Sequence, residues 1–180
     1  MYLFENDELT VWELEKSDIS FMAKWLSDSR VLAFYEGRDQ PFDEKKVESE
    51  FFTKRERGVH PCLVRWRNEP IGYIQFYEID DDTRALYHLE KDGSIRYGID
   101  QFIGEPEYWN KGIGRLLVSG MTDFLIQKKG ADCVVMDPHA DNDRALACYT
   151  KCGYEKVRFL PEHEWHEGKK RDCWLMKKRK

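Results

Sequence analysis

The 180-residue sequence has no C-x-x-C pair among its five cysteines, no internal repeat and no long apolar run. A membrane-spanning helix needs about 20 consecutive apolar residues, so the sequence predicts no membrane partner. Five cysteines at scattered spacings support neither a zinc ribbon nor a thioredoxin motif, and they favour buried free thiols. The first eight residues contain three acids and no base. This start predicts that the protein has no secretory signal and is intracellular.

The length and the apolar content predict one folded domain. Apolar residues make up 41% of the chain and aromatic residues 14%, which excludes a disordered or fibrous protein. Because a domain takes about 150 residues, we expect a single domain over residues 1–180. A chain of this length buries roughly 70% of the surface that it exposes when unfolded, so its core needs neither disulfides nor a metal.

The charges are unevenly distributed along the chain. The net charge is −5, but the last twelve residues hold seven bases and one acid. The other 168 residues therefore carry 22 bases and 33 acids, a net charge of −11. Such a body repels phosphate backbones and attracts cations, so we expect no nucleic-acid partner. The basic C-terminal end is interpreted as a solvated tail, with a small anion contact as the alternative.

Hydrophobic periodicity predicts the elements of the first half of the chain. Residues 9–14 alternate like a strand, and Ser17 is expected to cap a helix that contains Trp25. A surface helix is expected to begin at Asp43 and continue to Arg57. Residues 61–66 and 71–77 are typical of a hairpin. The acidic stretch 78–92 is interpreted as a long loop, and residues 95–103 as a strand.

The second half alternates helices and strands. A helix is expected from Ile113 and a short buried strand over 133–136. Asp141 or Asn142 then caps a helix that stops at Gly153. Two strands near 154–160 and 172–177 close the chain, so the order predicts a mixed α/β domain.

A glycine-containing turn, Asn110–Arg115, lies between a predicted strand and a predicted helix. Gly112 and Gly114 let the backbone approach a ligand closely, and free N–H groups at a helix start bind anions. Lys111 and Arg115 would add positive charge. The spacing matches neither the Rossmann fingerprint nor the Walker A motif, so it predicts a nucleotide-type ligand of another class. An ordinary loop remains the alternative.

The order of this turn, helix, short strand and Asn142-x-x-Ala145-x-x-x-Tyr149-x-x-x-Gly153-Tyr154 resembles the acetyl-CoA core of the GNAT superfamily. The resemblance implies an α/β GNAT fold, a mixed central sheet with a splayed strand pair flanked by helices. It also implies acetyl-CoA as cosubstrate, with the pyrophosphate at the glycine turn and the pantetheine arm along the preceding strand. The implied cofactor residues are Gln101, Phe102, Ile103, Lys111, Gly112, Ile113, Gly114, Arg115, Asn142, Ala145 and Tyr149. Trp109 departs from the family pattern, which has Arg or Gln at that position.

Four further segments, 68–75, 97–101, 136–139 and 160–168, resemble the aminoglycoside 6′-N-acetyltransferases. The similarity is greatest to the type found as the acetyltransferase half of a bifunctional resistance enzyme. It implies acetyl transfer to the 6′-amine of aminoglycosides such as kanamycin and tobramycin, by direct attack, in a bacterial cytoplasm. The implied substrate residues are Trp25, Tyr35, Glu36, Gln75, Tyr77, Tyr97, Asp100, Asp137 and Glu167.

The resemblance also assigns chemical roles. Asp100 is implied as the general base or the anchor of the reacting amine, and Asp137 as a ligand of a substrate ammonium. Tyr149 is implied as the proton donor to the CoA thiolate. The structural alternatives are turn or capping carboxylates for the two acids and a core aromatic for Tyr149. Asn142 either binds the pantetheine amide or caps its helix.

Other functions stay open at this stage. His163 and His166 are interpreted as polar residues without a metal, because two histidines lack a third ligand. A GNAT enzyme acting on a polyamine or a protein N-terminus fits the same acidic charge. A non-catalytic acyl-CoA sensor is disfavoured, since it would need neither Asp100 nor Tyr149. A monomer and a homodimer are both compatible with the sequence.

Overall fold

A mixed eight-stranded β-sheet forms the centre of the protein, whose structure, a computed structural model, describes residues 1–180. The strand order is β1-β2-β3-β4-β5-β6-β8-β7, and only β5 and β6 are parallel neighbours. The strands are β1 (Tyr2–Asn6), β2 (Leu9–Glu13), β3 (Val59–Trp66), β4 (Glu69–Glu78), β5 (Arg96–Ile103), β6 (Cys133–Met136), β7 (Glu155–His166) and β8 (Lys169–Arg179).

Six α-helices flank the sheet, and side-chain caps define where four of them begin. The helices are α1 (Ile19–Trp25), α2 (Ser29–Leu32), α3 (Glu44–Phe51), α4 (Asp81–Leu86), α5 (Ile113–Lys128) and α6 (Asp143–Lys151). The capping side chains of α2, α3, α4 and α6 are Asp28, Asp43, Asp80 and Asn142. Each accepts a hydrogen bond from a backbone N–H of the first turn, which would otherwise lack a partner. None of the helices combines the length and the apolar character that crossing a membrane requires.

The structure corrects several predicted elements. Residues Tyr2–Asn6 form an unpredicted strand that pairs with β2. Ser17 is not a cap, because a 3-10 turn with a capping box between Glu15 and Asp18 precedes α1. The stretch predicted as a long loop contains α4, whose Asp80 cap stabilises it locally. The last two strands are longer than predicted because they pair with each other along a hairpin that is mostly exposed and weakly periodic.

The two faces of the sheet carry separate cores, as the alternation of side chains along a strand requires. Twenty buried residues form the larger cluster, in which Cys62 and Ile74 pack with Leu117 and Met121 of α5. Twelve buried residues form the second cluster. In it Leu63, which follows Cys62 along β3 and points to the opposite face, packs with residues of α1 and α3. The sheet is therefore sandwiched between α5 on one face and the N-terminal helices on the other.

Strands β5 and β6 diverge after three residue pairs. Residues 96–98 of β5 pair with residues 133–135 of β6, and the two strands are not paired beyond them. The last five residues of β5 stay paired with β4 as far as Ile103. Beyond β6 the chain follows β8 instead, since the carbonyl of Pro138 accepts a hydrogen bond from the Trp174 N–H at 3.0 Å. The backbone edge of residues 99–103 thus faces a gap in the middle of the sheet.

We predict that Gly104→Ala destabilises the protein by about 1–3 kcal/mol, the usual cost of forcing extra atoms into a packed site. A Cβ at Gly104 would overlap Cγ of Trp25, whose side chain is fully buried and cannot move aside. Urea unfolding gives the change in free energy. Gly114→Ala is the matched control, because its Cβ would meet only the Cys148 Sγ at 3.9 Å. Equal stability of the two variants would contradict the packing argument.

Candidate active site

A cleft of about 990 Å³ opens at the gap between β5 and β6. Its walls come from β5, α5, α6 and β7, and from the segment that follows β6. The two halves of the cleft carry opposite charges. One half carries basic side chains and a helix N-terminus, and the other half carries carboxylates.

The glycine turn forms the floor of the basic half. Gly112 has φ of +79°, a left-handed conformation that favours glycine, and it directly precedes the 16-residue helix α5. The N–H groups of the first helical turn have no intrahelical acceptor and point out of the helix end. No atom lies within 4 Å of a Cβ built on Gly112. The turn therefore presents unobstructed N–H donors and the positive end of a helix dipole to an anion.

Three basic side chains line the same half: Arg115, Arg144 and Lys151. The guanidinium of Arg144 lies 5.0 Å from the ring of Trp109 and 5.1 Å from the ring of Phe34. Arg144 is not among the residues predicted from the sequence. Its signal was a base in the first turn of a helix, where the helix dipole disfavours positive charge.

Gln101 and Tyr149 meet at the wall between the halves. Gln101 Nε2 donates a hydrogen bond to the Tyr149 hydroxyl at 2.6 Å. Because this hydroxyl oxygen accepts, its own proton is free to be donated into the cleft. Burial, with the neighbouring Cys148 adding to it, raises the pKa of Tyr149, so the phenol stays protonated at neutral pH.

Asn142 caps α6 in the structure. Its Oδ1 accepts a hydrogen bond from the Ala145 N–H at 3.2 Å. Both residues line the cleft. The capping alternative is thus confirmed for the Asn142 oxygen, and the amide nitrogen remains available to a ligand.

Asp100 lies at the base of the acidic half. Its Oδ2 accepts a hydrogen bond from Gln75 Nε2 at 2.7 Å. Burial raises the pKa of Asp100 to about 7, and the negative charge of Asp137 adds to the shift. A carboxyl group with such a pKa exchanges a proton readily at neutral pH, which suits it to accept one from a reacting group.

Asp137 follows β6 and is held by two donors. Its Oδ2 accepts hydrogen bonds from the Tyr87 hydroxyl at 2.9 Å and from His163 Nε2 at 2.8 Å. The bond to Asp137 raises the pKa of His163. Tyr87 directly follows α4, so the region predicted as a loop contributes to the site through a buried side chain.

Two further carboxylates complete the acidic half, and both line the cleft. Burial raises the pKa of Glu36, which lies in a left-handed turn with φ of +66°. Burial would also raise the pKa of Glu164, but the hydrogen bond from His139 Nε2 at 2.9 Å and the charges of three nearby histidines lower it. Carboxylates converging on one cleft attract a ligand with several positive charges.

Several predicted site residues lie outside the cleft. Trp25 is 0% exposed, and its Nε1 donates to Glu105, so the residue belongs to the core and not to the substrate wall. Tyr97 packs against the larger core cluster, because it points to the face of β5 opposite Asp100. Glu167 pairs with Arg38, which lowers its pKa to about 2.

All the other predicted residues except Lys111 and Ile113 line the cleft. Tyr35, Glu36, Gln75 and Tyr77 line its acidic half, and Phe102 and Ile103 lie on the exposed edge of β5. Ile113 does not line the cleft, because its side chain is buried in the larger core cluster. Lys111 is exposed and lies over the ring of Tyr108 at 5.9 Å.

One group of side chains has the spacing of metal ligands. The ligand atoms of His139, Glu164 and Cys173 lie within 4.8 Å of one another. Burial raises the pKa of the Cys173 thiol, and His139 Nε2 and Glu164 Oε2 are hydrogen-bonded to each other at 2.9 Å. His163 and His166 contact two different carboxylates, Asp137 and Glu167, and do not converge on a common point.

The splayed sheet and the bipolar cleft define an acyltransferase-type α/β domain. The profile of the family described as acetyltransferase (GNAT) domain matches residues 15–161. The chain therefore belongs to the GNAT acetyltransferases, and its fold is the GNAT fold that the sequence predicted.

Individual relatives agree with this assignment. Aminoglycoside N(6′)-acetyltransferase type 1 from Klebsiella pneumoniae is 27% identical over 153 residues, which cover 84% of this chain and 76% of the relative. Spermidine N(1)-acetyltransferase from Vibrio cholerae is 20% identical over 177 residues, covering 95% and 92%. The crystal structure of aminoglycoside acetyltransferase AAC(6′)-Ib with coenzyme A and kanamycin has a TM-score of 0.78 at 22% identity, covering 96% and 95%. That structure has the same fold.

We predict that Asp100→Asn stabilises the ligand-free protein at pH 8 and leaves its stability unchanged near pH 4. The folded state raises the pKa of Asp100 from an unfolded value of about 4 to about 7, so it binds the proton more tightly. The wild type therefore loses stability as the pH rises from about 4 to about 7. Asparagine carries no charge, so the Asp100→Asn protein does not lose stability in this way. The midpoint of thermal unfolding, measured from pH 4 to pH 8, should separate the two proteins by about 3 °C or more at the upper end. Parallel curves across this range would show that Asp100 is not destabilised by burial.

Proposed function

We propose that this chain, as one acetyltransferase domain over residues 1–180, transfers the acetyl group of acetyl-CoA to the 6′-amine of aminoglycosides such as kanamycin and tobramycin. The reaction would take place in a bacterial cytoplasm, by a monomer or a homodimer, and would confer resistance to these antibiotics. The observation that carries the proposal is the bipolar cleft, with an anion-binding helix start in one half and Asp100, Asp137, Glu36 and Glu164 in the other. The 27% identity to an aminoglycoside N(6′)-acetyltransferase supports the choice of acceptor.

The basic half fits acetyl-CoA on its own geometry. The helix start with Arg115, Arg144 and Lys151 suits a pyrophosphate. The edge of β5 offers backbone partners to the amide groups of a pantetheine arm, because no strand pairs with residues 99–103 on that side. The Ile103 carbonyl already accepts a hydrogen bond from Trp109 Nε1 at 2.8 Å. The buried Gln101 Oε1 has no hydrogen-bond partner in the protein and can accept one from the same arm.

The residues of the acidic half can carry out the proton transfers of an amide-forming reaction. When bound, acetyl-CoA supplies an acetyl thioester, whose C–S bond breaks as the N–C bond to the amine forms. Asp100 binds the amine and accepts its proton, for which a pKa near 7 is suitable. Tyr149 donates its hydroxyl proton to the departing thiolate and recovers one from solvent, and Asp100 releases to solvent the proton that it accepted. Asp137, Glu36 and Glu164 hold the remaining ammonium groups of the acceptor.

A polyamine is the second candidate acceptor. Spermidine N(1)-acetyltransferase matches a larger share of this chain than the aminoglycoside relative does, although at 20% identity. Both acceptor classes are polycations, so the carboxylates of the cleft attract both. The two differ in shape, since an aminoglycoside is a ring system with hydroxyl groups and a polyamine is a flexible chain.

We expect the purified protein to release thiol from acetyl-CoA faster with kanamycin than with spermidine or a peptide, by at least about tenfold in kcat/KM. The assay measures free thiol with the three acceptors in parallel, and mass spectrometry of the product locates the acetyl group. Asp100→Asn should lower kcat/KM by about 100-fold or more with kanamycin, because it removes the proton acceptor. A preference for spermidine, or an acetyl group on another amine, would refute the aminoglycoside 6′ assignment.

We expect Tyr149→Phe to lower kcat by about 100-fold with little change in the KM for either substrate, the usual magnitude of one acid–base contact. The variant keeps the ring and removes the proton donor. Tyr154→Phe is the matched control, because the Tyr154 hydroxyl is buried and bonded to Thr122 at 2.6 Å, outside the cleft. It should keep wild-type kcat. A Tyr149→Phe variant with wild-type kcat would show that Tyr149 has only a structural role.

A further inference from the structure

A lysine lies within the acidic half of the cleft, where a cationic acceptor would be bound. Lys54 belongs to the 3-10 turn at Thr53–Arg57 and lines the cleft. Its Nζ lies 4.1 Å from the centroid of the Phe51 ring, so its stem is held against the second core cluster. A fixed positive charge weakens the attraction of a site for cations. Its presence there requires another explanation.

Lys54 holds the side-chain amide of Gln75. Gln75 Oε1 accepts two hydrogen bonds, one from Lys54 Nζ at 3.0 Å and one from the Tyr73 hydroxyl at 2.7 Å. An ammonium group has no acceptor, so it can meet only the oxygen of the amide. The Gln75 amide is thereby locked in one orientation, with its NH₂ group turned the other way.

The locked NH₂ group of Gln75 holds Asp100. Gln75 Nε2 donates to Asp100 Oδ2 at 2.7 Å, which leaves Oδ1 of the carboxylate for a ligand. The surroundings of Tyr73, Gln75 and Asp100 restrict their movement. Tyr73 is 0% exposed, Gln75 is 8% exposed and Asp100 lies at the base of the cleft. If the amide rotated, its oxygen would face the carboxylate, and two acceptors would repel each other.

We propose that Lys54 is a positioning residue for Asp100, which acts through Gln75 to orient the carboxylate and to keep it ionised. This proposal rests on the proposed function, in which Asp100 accepts the proton of the amine. Lys54 touches neither the amine nor the thioester in this role.

The charges that face Asp100 determine how strongly it depends on Lys54. Burial raises the pKa of Asp100, and the negative charges of Asp137 after β6 and Glu164 on β7 act in the same direction. The hydrogen bond from Gln75 and the charge of Lys54 oppose them. Among the protonated phenols near Asp100 are those of Tyr35, Tyr73, Tyr77, Tyr87 and Tyr149, which carry no charge at neutral pH.

Neighbouring carboxylates favour the charged form of Lys54. Burial lowers the pKa of Lys54, and the carboxylates of Glu36, Asp100 and Glu50 raise it. Lys54 is thus a cation held between a rim carboxylate and the amide that orients the proposed base. Loss of this cation should raise the pKa of Asp100 and free the Gln75 amide at the same time.

The test compares Lys54→Met, Lys54→Arg and Lys46→Met. Methionine keeps the length of the stem and removes the charge and the donor, and arginine keeps both. Lys46 is the matched control, because its Nζ also lies over an aromatic ring, that of Phe42 at 4.0 Å, and has no bond to Gln75. Circular dichroism and thermal unfolding establish that each variant is folded. Should Lys54→Met not fold, Lys54→Gln replaces it, since it also removes the charge that faces Asp100.

The kinetic arm measures kcat, KM and the pH profile of kcat/KM with kanamycin. We expect Lys54→Met to lower kcat at pH 7 about tenfold, to leave the KM for acetyl-CoA unchanged and to move the acid limb of the profile up by about one pH unit. Lys54→Arg should restore most of the rate, and Lys46→Met should match the wild type. An unchanged kcat and pH profile in Lys54→Met would overturn the proposal. So would a change confined to the KM for kanamycin, which would make Lys54 an acceptor contact.

A second arm needs no activity. Carbon-13 NMR of the aspartate carboxyl groups, assigned with Asp100→Asn, follows the titration of Asp100 in the ligand-free protein. Lys54→Met should raise its pKa by about one unit, a tenfold change in the protonation equilibrium. An unmoved Asp100 titration refutes the Lys54 proposal even if kanamycin is acetylated. A moved titration in a protein that acetylates no aminoglycoside supports the link to Asp100 and refutes only the proposed acceptor.

Discussion

The divergence of β5 from β6 is the constraint on which the rest of the site depends. Two parallel strands separate after three residue pairs, because one continues along β4 and the chain beyond the other follows β8. Unpaired backbone inside a protein is costly unless a ligand or water satisfies it. The gap therefore creates both an opening and a strand edge with which no other strand pairs, and α5 starts beside it. The cleft is a consequence of sheet topology and not of a surface loop.

The cleft separates charge by drawing its two halves from different parts of the fold. Its basic half consists of a helix start and of side chains on α5 and α6, whereas the carboxylates come from β5, from the end of β6, from β7 and from the turn before α3. Asp100 lies near the junction and is partly desolvated, which raises its pKa and costs stability at neutral pH. A group held in a less stable state by its surroundings is typical of a site selected for chemistry. Lys54 and Gln75 limit that destabilisation while they orient the carboxylate.

Prediction from sequence succeeded where the signal was local. The glycine turn, helix α5 and the Asn142 cap each depend on residues within a few positions, and the structure has all three. It failed where distant partners decide the outcome. β1 exists because it pairs with β2, and α4 brings Tyr87 to a carboxylate fifty positions away. Trp25 has the helical spacing of either a core or a cleft residue, and only the packing of Gly104 against its ring placed it in the core.

By itself, the sequence determined the class of fold and the glycine turn before α5, because spacing and residue type carry that information locally. Its resemblance to a family singled out Asp100 and Tyr149 as candidates for the chemistry. Only the tertiary structure decided how those groups are held. Gln75 lies 25 positions before Asp100, and Gln101 lies 48 positions before Tyr149. The register of β4 and β5 brings the first pair within a hydrogen bond, and the packing of α6 against β5 brings the second. No periodicity in the sequence encodes either contact. The pKa of Asp100 depends in the same way on burial and on Asp137, which the folded chain alone brings close.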